Sequence, residues 1–98
     1  MLPIHLGHDE LAGFCRRNGI ARLSLFGSVL RDDFGPASDL DVLVEFEPNA
    51  VVTLLDMERM QEELTEIAGR RVDLRTPAEL SRYFRDSVLA TAVVQYAA

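Results

Sequence analysis

The sequence predicts an α/β (α+β) fold, a small mixed β-sheet flanked by helices, in one domain that spans residues 1–98. Two observations predict this class. Apolar residues recur at three- and four-residue steps in some segments and alternate with polar residues in others, which indicates both helices and strands. A chain of 98 residues also suffices for one modest core but not for two.

The first half of the chain predicts a helix and two strands. His8 to Asn18 carries apolar residues on one helical face, and Gly19 is well placed to end that helix in a left-handed conformation. Ile20 to Phe26 is predicted as a strand, and Val29 to Asp33 as a short helical turn. Asp39 to Phe46 alternates regularly between apolar and polar residues, which predicts a second strand.

The second half predicts two further helices around a short strand. Thr53 to Ala68 has the apolar spacing of an amphipathic helix, and Arg71 to Arg75 reads as a third strand. Thr76-Pro77-Ala78-Glu79 combines an N-cap, a proline and a capping-box glutamate, so we expect a helical segment from there to about Gln95. Its apolar stripe would pack on the sheet or on a partner, and consists of Leu80, Phe84, Val88, Ala92 and Tyr96.

Charge and composition narrow the classes of partner. The formal net charge of −6 argues against direct binding of a nucleic-acid backbone, so a protein or small-molecule partner is favoured. All 10 basic residues are Arg, which excludes a lysine-based phosphate site. No apolar run is long enough for a membrane helix and Met1–Glu10 lacks the features of a signal peptide, so we expect no membrane association and a cytoplasmic location. The single cysteine, Cys15, is interpreted as a buried structural thiol.

A glycine-serine pair directly after the first strand is the first candidate for chemistry. Gly27 allows the backbone to approach a phosphate closely, and Ser28 offers a hydroxyl group and free amide donors at the start of a helical turn. Together the two residues predict an anion-binding turn.

Three aspartates form the second candidate. Asp39 and Asp41 lie two residues apart on a strand, so their carboxylates point to one side and repel each other unless a cation lies between them. Magnesium is the cation that hard oxygen ligands of this kind select, and it serves phosphoryl and nucleotidyl transfer. Asp73, from a neighbouring strand, would complete the site.

These motifs resemble the signature of a known superfamily. Gly27-Ser28, followed by 10 residues and then by Asp39-x-Asp41, resembles the motif of polymerase-β-type nucleotidyltransferases. Further positions resemble the minimal nucleotidyltransferase (MNT) branch of that superfamily: Arg31, Ser38 and Val72-Asp73-Leu74. The resemblance covers about Ile20 to Thr76 and implies the nucleotidyltransferase fold.

The resemblance also implies a role for each matching residue. Asp39 and Asp41 would bridge two Mg²⁺ ions, while Asp73 would bind one of them and help to activate the acceptor hydroxyl. Gly27 and Ser28 would hold the terminal phosphates of ATP, and Arg31 would neutralise their charge. The predicted catalytic and metal-binding residues are therefore Asp39, Asp41 and Asp73, and the predicted nucleotide-binding residues are Gly27, Ser28, Arg31 and Ser38.

Members of the MNT branch are commonly antitoxins of HEPN-domain ribonuclease toxins and attach AMP to a toxin tyrosine. The resemblance thus implies Mg²⁺-dependent transfer of AMP from ATP to a tyrosine of a cognate HEPN toxin, with which the chain would form a hetero-oligomer. Two alternatives stay open: a non-catalytic module that neutralises its partner by binding, and nucleotidyl transfer to a small molecule such as an aminoglycoside. Replacement of both Asp39 and Asp41 by Asn would separate catalysis from mere binding.

Other polar residues are interpreted without a catalytic role. The charges of Arg70, Arg71 and Arg75 are interpreted as a solvated strand end that offsets the acidic surface. Glu45 shares the aspartate face and is a candidate for supporting the acidic site. Tyr83 is interpreted as a packing residue with a wet hydroxyl group.

Overall fold

The computed structural model describes residues 4–98, so the first three residues of Met1–Glu10 and of the predicted domain lie outside the described part. The strand order of its four-stranded sheet is β3-β2-β1-β4, with β2 and β3 parallel and β1 antiparallel to both of its neighbours. The mixed sheet with flanking helices confirms the predicted fold class. In chain order the elements are α1 (His8–Arg17), β1 (Ile20–Phe26), a 3₁₀ turn (Gly27–Leu30), β2 (Leu40–Phe46), α2 (Leu54–Ala68), β3 (Val72–Arg75), a second 3₁₀ turn (Pro77–Glu79), α3 (Arg85–Thr91) and β4 (Val93–Ala97).

The core lies between one face of the sheet and helices α1 and α2. The alternation predicted for β2 is observed, because Leu40, Val42 and Val44 are fully buried on that face. Burial of each such side chain contributes roughly 1.5–3 kcal/mol, so this face fixes which residues of β2 point away from the core. The core is completed by residues of the other elements, among them Leu11, Phe14, Leu23, Leu25, Met60, Leu64, Val72 and Leu74.

Helix α2 begins and ends as its sequence predicts. The backbone N–H of Asp56 donates to Thr53 Oγ1 over 3.1 Å, and the N–H of Thr53 donates to Asp56 Oδ2 over 3.0 Å. The hydrogen bond from the Thr53 N–H, followed by contacts of the carboxylate with the Thr53 hydroxyl group and with Arg59, lowers the pKa of Asp56. Gly69 ends the helix with a φ of +70°, a conformation that glycine adopts without steric cost. The helix carries the chain back so that β3 lies parallel to β2.

The C-terminal prediction of one helix up to about Gln95 was wrong. The structure has only the 3₁₀ turn and α3 before Ala92, after which β4 pairs antiparallel with β1. The physical reason is the open edge of β1, whose backbone groups gain partners from β4, and the β-branched pair Val93-Val94 suits that pairing. Tyr83 is 84% exposed, so its predicted packing role was also wrong. In residues 4–98, no helix is both long and apolar enough to cross a membrane.

Candidate functional site

The register of β2 and β3 brings two of the predicted aspartates together. Asp41 pairs with Asp73 across the parallel strands, so the two side chains leave the sheet on the same side. That side is opposite the core, because the neighbours Leu40 and Val42 are buried in it. Asp41 also pairs with Phe26, the last residue of β1, so the turn that follows β1 starts beside this pair.

Gly27 is required at this turn for two reasons. Its φ of +74° lies in the left-handed region, and a Cβ at this position would overlap the Asp41 carboxylate and lie 3.1 Å from its Cγ. The turn itself is a 3₁₀ helix from Gly27 to Leu30, which begins two residues before the predicted turn. It brings the backbone N–H of Ser28 near the Asp41 carboxylate, where this N–H acts to lower the pKa of Asp41.

The environment of Asp41 disfavours its charged form. Burial raises the pKa of Asp41, and the negative charges of Asp73 and Asp39 raise it further. The Ser28 N–H and the Arg31 guanidinium act in the opposite direction and are outweighed. A divalent cation at this carboxylate would relieve both the burial cost and the repulsion. The oxygen donors and the Cβ-free approach of Gly27 therefore fit Mg²⁺.

Asp39 lies immediately before β2, and its side chain is exposed. The prediction that β2 starts at Asp39 was therefore one residue early. Its backbone carbonyl accepts a long hydrogen bond, 3.4 Å, from Ser28 Oγ. In the described part of the chain, no three acidic, histidine or cysteine side chains are grouped closely enough to form a ready-made ion site. The geometry is an Asp41–Asp73 pair with Asp39 beside it, and shared metal binding by all three stays a prediction.

Asp73 has a competing partner on its own strand. Arg75 Nε lies 3.1 Å from Asp73 Oδ1, and Arg75 Nη1 lies 4.0 Å from Glu79 Oε2. The Asp73 and Arg75 side chains are 38% and 46% exposed, so this ion pair is worth about 0–1 kcal/mol. An incoming cation can therefore displace Arg75 from Asp73 at little cost.

The predicted nucleotide-binding residues Arg31 and Ser38 have different surroundings. Arg31 is exposed, directly follows the 3₁₀ turn and pairs with Asp33 at 3.4 Å. Ser38 closes its own loop, because its Oγ accepts from the Gly35 N–H at 3.1 Å and its N–H donates to the Gly35 carbonyl at 3.0 Å. Nucleotide contact by either residue stays a prediction.

Arg70 has a structural role that the sequence interpretation missed. Its Nη1 donates to the carbonyl oxygens of Gly35 and Ser38 at 3.0 and 3.1 Å. Its guanidinium lies 4.4 Å from the centre of the Phe34 ring. The interpretation as a solvated strand end was therefore wrong for Arg70. The contact joins positions 35 residues apart, and no local motif indicates it.

The acidic site, in which Asp39 is exposed and Asp41 and Asp73 are half-buried, is separate from an apolar cavity elsewhere in the fold. That cavity, of about 560 Å³, lies between α2 and the ends of β2 and β3. Its apolar lining includes Phe46, Val52, Met57 and Leu74, and none of the predicted site residues belongs to it. Asp41 and Asp73 therefore lie apart from this cavity, on the side of the sheet opposite the core, and catalysis by the aspartates stays a prediction.

Comparison with known proteins identifies the family of the chain. The family model described as a nucleotidyltransferase domain matches residues 9–94. A candidate protein adenylyltransferase of Methanocaldococcus jannaschii is 38% identical over 77 residues, which are 79% of this chain and 81% of the relative. The protein adenylyltransferase MntA of Thermococcus cleftensis is 34% identical over 77 residues, 79% of this chain and 76% of the relative.

Solved structures show the same fold. A structure described as a candidate minimal nucleotidyltransferase matches with a TM-score of 0.71 and 37% identity, over 88% of this chain and 86% of the other. A toxin–antitoxin complex with AMP-PNP matches with a TM-score of 0.73 and 18% identity, over 95% of this chain and 75% of the other. A complex of a tri-AMPylated Shewanella oneidensis HEPN toxin with its MNT antitoxin matches with a TM-score of 0.65 and 17% identity, over 93% and 70%. The two complexes show likeness of fold alone.

Proposed function

Because the chain belongs to the nucleotidyltransferase domain family and is a minimal nucleotidyltransferase, we propose that it transfers AMP from ATP to a tyrosine of a partner HEPN toxin. The transfer would require Mg²⁺ and would make the chain the antitoxin of that toxin. One observation carries the proposal. At Gly27 a side chain would overlap the Asp41 carboxylate, so the turn brings the Ser28 N–H close to that carboxylate, beside Asp73.

The choice of nucleotide and acceptor is supported by what the similar proteins are called. Two relatives are named as protein adenylyltransferases, one of them a candidate. Solved structures that match this fold include a toxin–antitoxin complex with AMP-PNP and a complex of an AMPylated HEPN toxin with an MNT antitoxin. The acceptor tyrosine is our proposal for this chain, and so is its ATP substrate.

The chain's own residues would bind and orient the reactants. Gly27 and Ser28 would lie against the terminal phosphates at the start of the 3₁₀ turn, a place where backbone N–H groups are good anion donors. Arg31, exposed and next to this turn, would neutralise part of the phosphate charge. Ser38 would contact the nucleotide from the loop that it closes.

The carboxylates would position the metal and take up the acceptor proton. Asp39, Asp41 and Asp73 would hold Mg²⁺, which when bound supplies stabilisation of negative charge on the triphosphate oxygens. The tyrosine oxygen would form a bond to the α-phosphorus, and the bond from that phosphorus to the oxygen bridging to the β-phosphorus would break. Pyrophosphate would leave, and the tyrosine proton would pass to the Asp73 carboxylate and then to solvent.

ATP labelled at either the α- or the γ-phosphate tests the proposal. Incubation of the chain with α-labelled ATP, Mg²⁺ and its cognate HEPN protein should label that protein, whereas γ-labelled ATP should not. Replacing the acceptor tyrosine by Phe, or Asp41 by Asn, should abolish the label. If the HEPN protein remains unlabelled with every NTP, the proposed function is wrong.

Non-catalytic neutralisation is the second candidate, and exposed apolar side chains favour it. Val51, Leu54 and Leu55 are 89%, 85% and 71% exposed around the start of α2, a composition typical of a protein contact. This candidate predicts that the chain with both Asp39→Asn and Asp41→Asn still protects cells from the toxin. Catalysis predicts that the same variant binds the toxin and no longer protects. An aminoglycoside added as acceptor in the labelling assay tests small-molecule transfer.

A further inference from the structure

Asp39 lies just outside β2, so the strand does not by itself fix its conformation. The first residue of β2 is Leu40, and the Asp39 side chain is exposed. Asp41 and Asp73 are held by their strand register, whereas Asp39 lies at the end of a loop that starts after the 3₁₀ turn. A predicted metal ligand at such a place must be held by contacts from outside its own element.

We infer that Arg70 is the positioning residue for Asp39, an inference whose catalytic consequence rests on the proposed function. One nitrogen of Arg70, Nη1, bridges the carbonyl oxygens of Gly35 and Ser38. The Ser38 carbonyl belongs to the peptide group that joins Ser38 to Asp39, so Arg70 fixes the plane of that group. The Asp39 carbonyl, on the other side of the same residue, is held by Ser28 Oγ.

Arg70 is itself well fixed. Its guanidinium lies over the Phe34 ring at 4.4 Å, and Phe34 packs against the core. The main chain next to Arg70 reaches the same junction, because the Leu40 N–H donates to the Arg71 carbonyl at 2.9 Å. The Arg70 side chain and the Arg71 backbone therefore contact the chain immediately before and after Asp39.

Loss of the Arg70 charge and loss of its hydrogen bonds should change the metal affinity in opposite directions. A guanidinium close to carboxylates repels a divalent cation, so removal of the Arg70 charge alone should tighten metal binding. Loss of the two hydrogen bonds should instead free Asp39 and weaken metal binding. The sign of the change therefore distinguishes the positioning role from electrostatics.

Mn²⁺ binding to the full chain, without nucleotide or acceptor, is the test. Two variants remove the hydrogen bonds: Arg70→Gln, and Arg70→Met, which keeps an apolar contact with Phe34 if the first variant fails to fold. We expect the dissociation constant for Mn²⁺ to rise about tenfold in both, the usual effect of losing a residue that orients a metal ligand. The control Arg71→Gln makes the same charge change at an exposed neighbouring side chain and should bind Mn²⁺ as tightly as the unmodified chain, or slightly more tightly.

Two further measurements separate the inference from the proposed function. Amide exchange at Ser38 should become faster in the folded Arg70 variants and stay unchanged in Arg71→Gln, whether or not the chain transfers AMP. In the labelling assay, the Mg²⁺ concentration needed for half-maximal rate should rise about tenfold. The inference would be overturned if the folded Arg70 variants bound Mn²⁺ as tightly as Arg71→Gln and exchanged the Ser38 amide at the same rate. An unmodified chain that transfers no AMP would overturn only the proposed function.

Discussion

Gly27→Ala is the substitution that challenges the geometry of the site most directly. The added Cβ would overlap the Asp41 carboxylate, so either that side chain or the turn must move. The φ of +74° adds backbone strain of about 1–2 kcal/mol for any residue with a Cβ. We therefore expect both a loss of stability and a displaced Asp41.

The expected loss of activity follows from that displacement. A shift on the order of 1 Å at a catalytic group lowers the rate by roughly 100-fold. The assay is AMP transfer from α-labelled ATP to the HEPN partner, accompanied by Mn²⁺ binding to the chain alone. The free energy of unfolding, measured in urea, should fall by about 1–2 kcal/mol and leave the protein folded.

Gly19→Ala is the matched control. Gly19 also has a positive φ, +67°, but lies at the other end of β1, where an added Cβ would meet the Ala50 Cβ at 3.2 Å. Its variant should lose a similar free energy of unfolding and keep its rate of transfer. Full activity in folded Gly27→Ala, or an equal loss in both variants, would refute the reasoning.

Three other changes have defined outcomes. The pKa of Asp41 is raised in the folded chain, so the stability contributed by this group is present in acid and is lost as the pH rises through the folded pKa. Asp41→Asn should therefore raise the melting temperature at neutral pH without divalent ions, a gain that disappears in acid; no gain at neutral pH would contradict this. Arg75→Gln frees Asp73 from its ion pair and should tighten Mn²⁺ binding a few-fold, with a change in unfolding free energy below about 1 kcal/mol; weaker binding would count against it. Burial raises the pKa of Cys15 to about 12, so at pH 8 iodoacetamide should alkylate the native thiol on the order of 1000-fold more slowly than the unfolded one, and equal rates would show the thiol to be accessible.

Strands β1 to β3 and the proximity of Gly27, Asp41 and Asp73 could be predicted because local patterns determine them. Alternation along β2 places Leu40 and Val42 on one side of the sheet and Asp41 on the other. Because the apolar side is buried in the core, the Asp41 carboxylate must lie on the opposite side. A glycine directly after a strand is typical of a close backbone approach, and Gly27 makes one with Asp41. The parallel pairing of Asp41 with Asp73 follows from a helix that connects their strands.

The C-terminal strand and the Arg70 contacts could not be predicted from local patterns. The spacing of Val88, Ala92 and Tyr96 fits a helix, yet Val94 and Tyr96 also alternate as in a strand, and the open edge of β1 decides between the two. The Arg70 side chain meets a loop 35 residues earlier in the chain. Both features depend on tertiary pairing, which periodicity does not encode.

The intact mass of the HEPN partner, co-purified with this chain, tests the central claim most directly. Partner produced with the unmodified chain should be heavier by a whole number of AMP groups, all of them on tyrosine. Partner produced with the chain that carries both Asp39→Asn and Asp41→Asn should have its unmodified mass. An unmodified mass in both preparations would contradict the account.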